Sequence, residues 1–205
     1  MNTLKILENN DIIKKLLESQ SKYKEDLSEK LYNEVLSFRE NKFGDEFIKL
    51  VYDTLISWKM NQRRAKLSDF ETFKTSILKN REIFDLLEQY TLPNIYNDEV
   101  VAIKLKELFS ALQLTQSKTK FVTTAKTLHF FLPKLVVPMD TEYTLWFFES
   151  KTDKFKNCEE DSFIEKQKTC SQFSSKIDLS TSIDNGWNKN IPKIIDNLII
   201  AIKDY

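Results

Sequence analysis

Between Ser117 and Thr144 the chain reads SKTKFVTTAKTLHFFLPKLVVPMDTEYT, and this stretch holds the residues with the clearest chemical potential. If residues 119 to 132 form one helix, Val122, Lys126 and His129 fall near one another at i, i+4 and i+7. Phe121, Ala125, Leu128 and Leu132 then make the adjoining apolar face. A lysine partly withdrawn from water can present a neutral amine, and hence a nucleophile, near neutral pH. The apolar connector Leu135, Val136, Val137, Pro138 delivers Asp140 to the start of a new helix. A carboxylate there either caps the helix or serves as an acid–base group in a dry site. This stretch is therefore where chemistry would sit, with Asp140 in the N-cap position of the helix that follows. His129, the only histidine, is expected to be a core residue bonded to a backbone carbonyl.

Composition bounds what surrounds this stretch. At 205 residues the chain is long enough for one domain with a sizeable core, in one lobe or two, and it is taken as one domain over residues 1–205. Glycine occurs twice and proline four times, so turn-rich β architectures lack their punctuation and an all-α fold is expected. Lysine plus arginine balances aspartate plus glutamate at 31 each, which removes any global electrostatic case for nucleic acid or a membrane surface and leaves only local patches. The basic residues Arg63, Arg64, Lys66, Lys118 and Lys120 are the local candidates for nucleic-acid contact. Cys158 and Cys170 lie without a second pair or a histidine near them, so they are read as reduced thiols with no metal; no cofactor is expected. No apolar run approaches the roughly 20 residues that span a bilayer, and a cytoplasmic protein is expected.

The helices follow from spacing. Apolar residues recur at helical intervals over residues 3 to 20, 25 to 39 and, most cleanly, 44 to 60, where Phe47, Leu50, Val51, Leu55 and Trp58 form one face. After the basic loop 59 to 67, Ser68 and Glu71 suggest a capping box that opens a helix with Phe70, Phe73 and Ile77 on its buried side. Further helices are predicted over residues 98 to 113, over the aromatic stretch 141 to 149, near 161 to 175, and at the C-terminus with Pro192 in its first turn.

The Lys-x-Leu-His, Pro, Pro-x-Asp pattern of Lys126, Leu128, His129, Pro133, Pro138 and Asp140 is similar to that of a group of proteins sharing the same spacing. A helix, an apolar connector and then Val-Pro-Met-Asp-Thr opening another helix also resembles the core of the helix-hairpin-helix DNA glycosylases. That resemblance covers about 30 residues. It implies a fold in which the hairpin binds the DNA backbone, a nucleotide is flipped from the stack, and Asp140 assists departure of the base. A lysine attacking the sugar carbon, as in the bifunctional members, would be Lys126. The chain departs from the family in two places: residues 113–120, QLTQSKTK, contain no glycine, and Val122 stands where the nucleophilic lysine is aligned. Two functions follow as expectations. One is a DNA-binding, base-excision-like protein, active or degenerate. The other is a helical interaction module in which Lys126 and Asp140 form an internal ion pair.

Overall fold

A computed structural model describes residues 13, 16, 27–62, 66–149, 158–184 and 186–204. Among these residues the chain forms ten α-helices and no strand: α1 Leu27–Ser37, α2 Asp45–Ser57, α3 Phe70–Lys79, α4 Arg81–Leu87, α5 Asn94–Asn97, α6 Glu99–Ala111, α7 Phe121–Phe131, α8 Thr141–Glu149, α9 Glu159–Ser174 and α10 Ile191–Asp204. The fold is all-α. Caps mark several of the starts: Asp69 accepts the Thr72 N–H at 2.9 Å, Asp98 accepts the Val100 N–H at 2.9 Å, and Asn190 accepts the Lys193 N–H at 2.9 Å.

The helix at the centre is α7. Nine of its eleven residues are buried, leaving only Val122 and Lys126 partly open. An α-helix without a polar face has to be covered on every side, and α2, α6 and α9 all pack on it. Phe131 at its end meets Phe47 at 5.2 Å and Phe84 at 4.9 Å between ring centroids. Elsewhere α8 packs on α10, and α9 on α5 and α6.

Of the apolar faces read from spacing, Phe47, Leu55 and Leu128 are buried as expected, while Leu50 and Phe70 sit at the edge of the core; Leu105, Leu108, Ile195 and Leu198 complete its interior. Of the stripe over residues 3 to 20, Ile13 and Leu16 are helical and buried, and the rest lies outside the described residues. The capping box expected at Ser68 and Glu71 does not form. The Ser68 hydroxyl donates to the Gln113 carbonyl at 3.1 Å and its N–H to the Leu114 carbonyl at 3.0 Å, so the helix starts one residue later on Asp69.

The end of α2 is the one place among the described residues where a non-glycine residue takes a positive φ. The Met60 N–H reaches the Leu55 carbonyl and the Lys59 N–H the Ile56 carbonyl, at 3.0 and 2.9 Å, a Schellman pattern with Lys59 at the left-handed position (φ 62°). Glycine is the residue that this position favours, and an L side chain there costs about 1–2 kcal/mol. Part of that is offset by the greater freedom of glycine in the unfolded chain. Lys59→Gly is therefore expected to stabilise the protein by about 1 kcal/mol, raising the thermal midpoint by about 2–4 °C. An unchanged or lower midpoint in a thermal melt would show that the exposed lysine's own contacts outweigh the backbone strain.

Candidate functional site

Lys126 stands on the one open stripe of α7. Its Nζ lies 5.3 Å from the ring centroid of Trp58, the residue that ends α2. Trp58 in turn stacks on Phe130, one turn beyond Lys126, at 5.4 Å. Among the described residues Lys126 makes no hydrogen bond or ion pair. Burial holds its pKa below the lysine range, opposed by the charges of Asp140 and Asp196 and assisted by that of Lys193. Among the described residues the buried Trp58 indole N–H has no acceptor, and the buried hydroxyl oxygen of Thr54, one turn earlier on α2, has no partner.

Asp140 caps α8. Its Oδ1 accepts the Tyr143 N–H at 2.8 Å, and its own N–H donates to the Thr144 hydroxyl at 3.1 Å. Burial raises the carboxyl pKa, while the Lys126 charge and the Tyr143 N–H bond work against that rise. The contact ion pair between Lys126 and Asp140 expected for the interaction-module reading is not made, because the carboxylate is turned onto the α8 backbone and the ammonium onto Trp58. The neutral forms of both groups are thus brought closer to physiological pH, which suits an amine nucleophile working beside a carboxylic acid.

What holds Asp140 in place is the connector before it. Leu135 to Met139 are all buried; the Leu132 carbonyl takes the Leu135 and Val136 N–H groups, and side chains from outside the connector answer the groups that follow. His129 Nδ1 bonds the Val136 carbonyl at 2.6 Å, and the Gln167 amide spans Val137, accepting its N–H at 3.0 Å and donating to its carbonyl at 2.8 Å. A carbonyl can only accept, so Nδ1 carries the ring proton; Nε2 then accepts the Tyr32 hydroxyl at 2.8 Å, whose oxygen receives the Asn190 amide at 3.0 Å. His129 bonds a backbone carbonyl as the sequence led one to expect. Gln167, Tyr32 and Asn190 were not anticipated, since each lies far from the connector in sequence and none sits in a local motif.

The basic candidates divide. Lys120 Nζ donates to the Phe109 and Ser110 carbonyls at 3.1 and 2.9 Å, closing the C-terminus of α6, and its backbone N–H donates to Glu159 Oε2 at 2.8 Å. Lys66 and Lys118 are exposed and lie on adjoining segments of a clasp. The Lys66 N–H donates to the Ser117 hydroxyl at 2.8 Å, and its carbonyl accepts from the Gln116 N–H at 2.8 Å and the Thr115 hydroxyl at 2.6 Å. Arg63 and Arg64 lie outside the described residues. Among the described residues no group of His, Cys, Asp and Glu is placed to hold a metal ion, and no helix is long and apolar enough to cross a membrane.

Burial pushes the His129 pKa down from 6.5 to about 3, ahead of the Val136 bond that raises it and the charges of Lys193 and Arg39 that lower it. Between those values the unfolded chain binds a proton that the folded protein refuses, so stability is lost as pH falls below about 6.5. The stability difference between wild type and His129→Gln should shrink by about 2 kcal/mol from pH 7 to pH 5, read by urea unfolding at each pH. A difference that does not change with pH would mean that the imidazole takes up its proton in the fold as readily as in the unfolded chain. Comparison with family models, curated proteins and solved structures finds no match to this chain.

Proposed function

We propose that this chain is a DNA-binding protein of the base-excision type, with Lys126 as the amine nucleophile and Asp140 as the carboxyl group that assists departure of the base. The observation that carries the reading is Lys126. A lysine with no hydrogen bond or ion pair among the described residues, its ammonium set only against the Trp58 ring on the open stripe of an otherwise buried helix and its pKa held down by burial, has the state a Schiff-base lysine needs. The helix, apolar connector and Val-Pro-Met-Asp-Thr helix start that resemble the core of the helix-hairpin-helix glycosylases support it. So do the exposed Lys66 and Lys118, which the clasp brings onto one surface loop next to the start of α7.

In this reading the neutral amine attacks the sugar carbon while the bond to the base breaks, and the departing base takes a proton from the acid side of the site. Ring opening then leaves an imine between Lys126 and the sugar. On an abasic site the same amine condenses with the aldehyde and releases water. Either imine is reduced by borohydride to a stable secondary amine.

A second reading, a helical interaction module without catalysis, draws on a different observation: Asp140 is a complete N-cap and needs no other role. One substitution separates the two. Asparagine caps as well as aspartate, whereas alanine costs about 1 kcal/mol. Asp140→Asn should therefore keep the melting midpoint and the DNA affinity while slowing base release. Incubation with duplexes carrying an abasic site, uracil or 8-oxoguanine, followed by borohydride, should give a covalent adduct that Lys126→Gln abolishes and Lys120→Gln retains. No adduct with any of the three duplexes would overturn the catalytic reading.

Binding itself has a separate test. With a net charge of zero, duplex affinity is expected to be weak to moderate and to fall steeply with salt, at a slope of about −0.9 for each phosphate neutralised. Lys66→Glu and Lys118→Glu should each flatten that slope by about one unit in a fluorescence anisotropy titration. Affinity that ignores both salt and these substitutions would point to a protein partner instead.

A further inference from the structure

Lys126 is not the only lysine set against its run of rings. Lys193, in the first turn of α10, has a side chain only 9% exposed, and its Nζ lies 4.6 Å from the Trp187 centroid and 5.8 Å from that of Tyr32. Trp187 stacks on Tyr32 at 5.7 Å, Tyr32 on His129 at 5.7 Å and against Phe130 at 5.8 Å, and Phe130 on Trp58 at 5.4 Å. Trp58 carries Lys126. One continuous stack, contributed by α1, α7, the end of α2 and the loop before α10, therefore has a lysine at each end.

The two lysines differ in one respect. Lys193 is paired with Asp196, one turn along α10, at 2.5 Å, and the carboxylate side chain is itself only 14% exposed. In such surroundings charges act well beyond contact distance, because little water stands between them to screen the field. The Lys193 ammonium opposes protonation of Lys126, and the Asp196 carboxylate favours it. Asp196 also favours the protonated form of Asp140. Among the described residues the other ionisable groups facing Lys126 and the stack are Asp140 from α8, Arg39, whose charge acts on His129, and then His129 from α7 and Tyr32 from α1. Burial keeps the latter two neutral, with the histidine held down and the phenol held up.

We propose that Lys193 and Asp196 are positioning residues of the Lys126–Asp140 site, a buried pair of opposed charges at the far end of the ring stack that sets the reactivity of the Lys126 amine without touching it. The catalytic meaning of this rests on the function proposed above, but the amine's reactivity does not depend on DNA and can be measured without it.

The test is trace acetylation of the full-length protein with acetic anhydride from neutral to alkaline pH, reading the Lys126 peptide by mass spectrometry to obtain its titration midpoint. Lys193→Met leaves Asp196 unopposed and should raise the midpoint by about half a unit or more, whereas Asp196→Asn leaves Lys193 unopposed and should lower it by more than that. Lys193→Arg keeps the charge and should keep the wild-type midpoint. Should a single variant fail to fold, the exchanged pair Lys193→Glu/Asp196→Lys retains an ion pair and decides the matter. It places the cation at the position that acts more strongly on Lys126, so the midpoint should fall. Single variants that both move the midpoint the same way, or an exchanged pair that leaves it unmoved, would overturn the proposal. Shifts of the expected sign without any borohydride adduct would remove the DNA chemistry and leave the electrostatic pair standing. An adduct without the shifts would do the reverse.

Discussion

A helix covered on nearly every side must have its polar groups answered from within the protein, and the burial of α7 imposes that demand on the chain around it. Its ends are met by charge: the Glu159 carboxylate takes the Lys120 N–H at the start, and Arg39 donates to the Phe131 carbonyl at 2.6 Å at the finish. Both signs suit the helix dipole. Along its length the Thr127 hydroxyl returns to the Thr123 carbonyl, and His129 is satisfied on one side by the connector and on the other by Tyr32. Apart from the Thr127 bond, which stays within α7, these bonds reach other parts of the chain, so satisfying the helix also fixes its surroundings. Asn190 shows how far this extends, since it starts α10 with its oxygen and holds Tyr32 with its amide.

The position of Lys126 follows from the same constraint. With nine of eleven α7 positions committed to the interior, a charged residue can be accommodated only on the stripe it shares with Val122. There it meets an indole face in place of a carboxylate. A cation over an aromatic ring gains about 0.5–2 kcal/mol, whereas withdrawing an ammonium from water without a contact partner costs several kcal/mol. Desolvation wins, and the depressed pKa is its expression. Asp140 is in a milder version of the same position, with one backbone N–H to offset its burial.

Local pattern carried much of this. The α2 stripe, the Asp140 cap and the bond from His129 to a carbonyl could all be read within a window of a few residues, where periodicity and capping chemistry act. What could not be read depends on partners far apart along the chain. Tyr32 meets His129 across 97 residues, Asn190 meets Tyr32 across 158, and Gln167 reaches Val137 across 30. A polar residue inside an amphipathic helix gives no sign of which distant carbonyl it will face. The same reason explains Ser68, which reads as a cap until Gln113 claims its hydroxyl, and Lys120, which reads as part of a basic patch although its ammonium closes α6. Lys193 and Asp196 did carry a signal, two opposite charges one turn apart within a strongly apolar terminal stripe, but charge on such a stripe is also what an exposed helix edge looks like.

The missing glycines between α6 and α7 have a structural counterpart. In the resembled family, glycine lets hairpin amides come close to phosphate, whereas here Leu112 and Leu114 are buried and the following residues pair with the backbone of Lys66 to Ser68. That clasp engages several of the loop's amides in the protein's own bonds. At the start of α7, where a phosphate oxygen would gain most from the helix dipole, a carboxylate oxygen of Glu159 already accepts the Lys120 N–H. Any polyanion docking at this loop therefore has to be held by mobile ammonium groups such as Lys66 and Lys118 and not by preorganised amides. Ammonium contacts are point charges without fixed geometry. They attract a backbone of any sequence and loosen readily as salt rises, and the specificity of such a protein would have to come from what reaches Lys126.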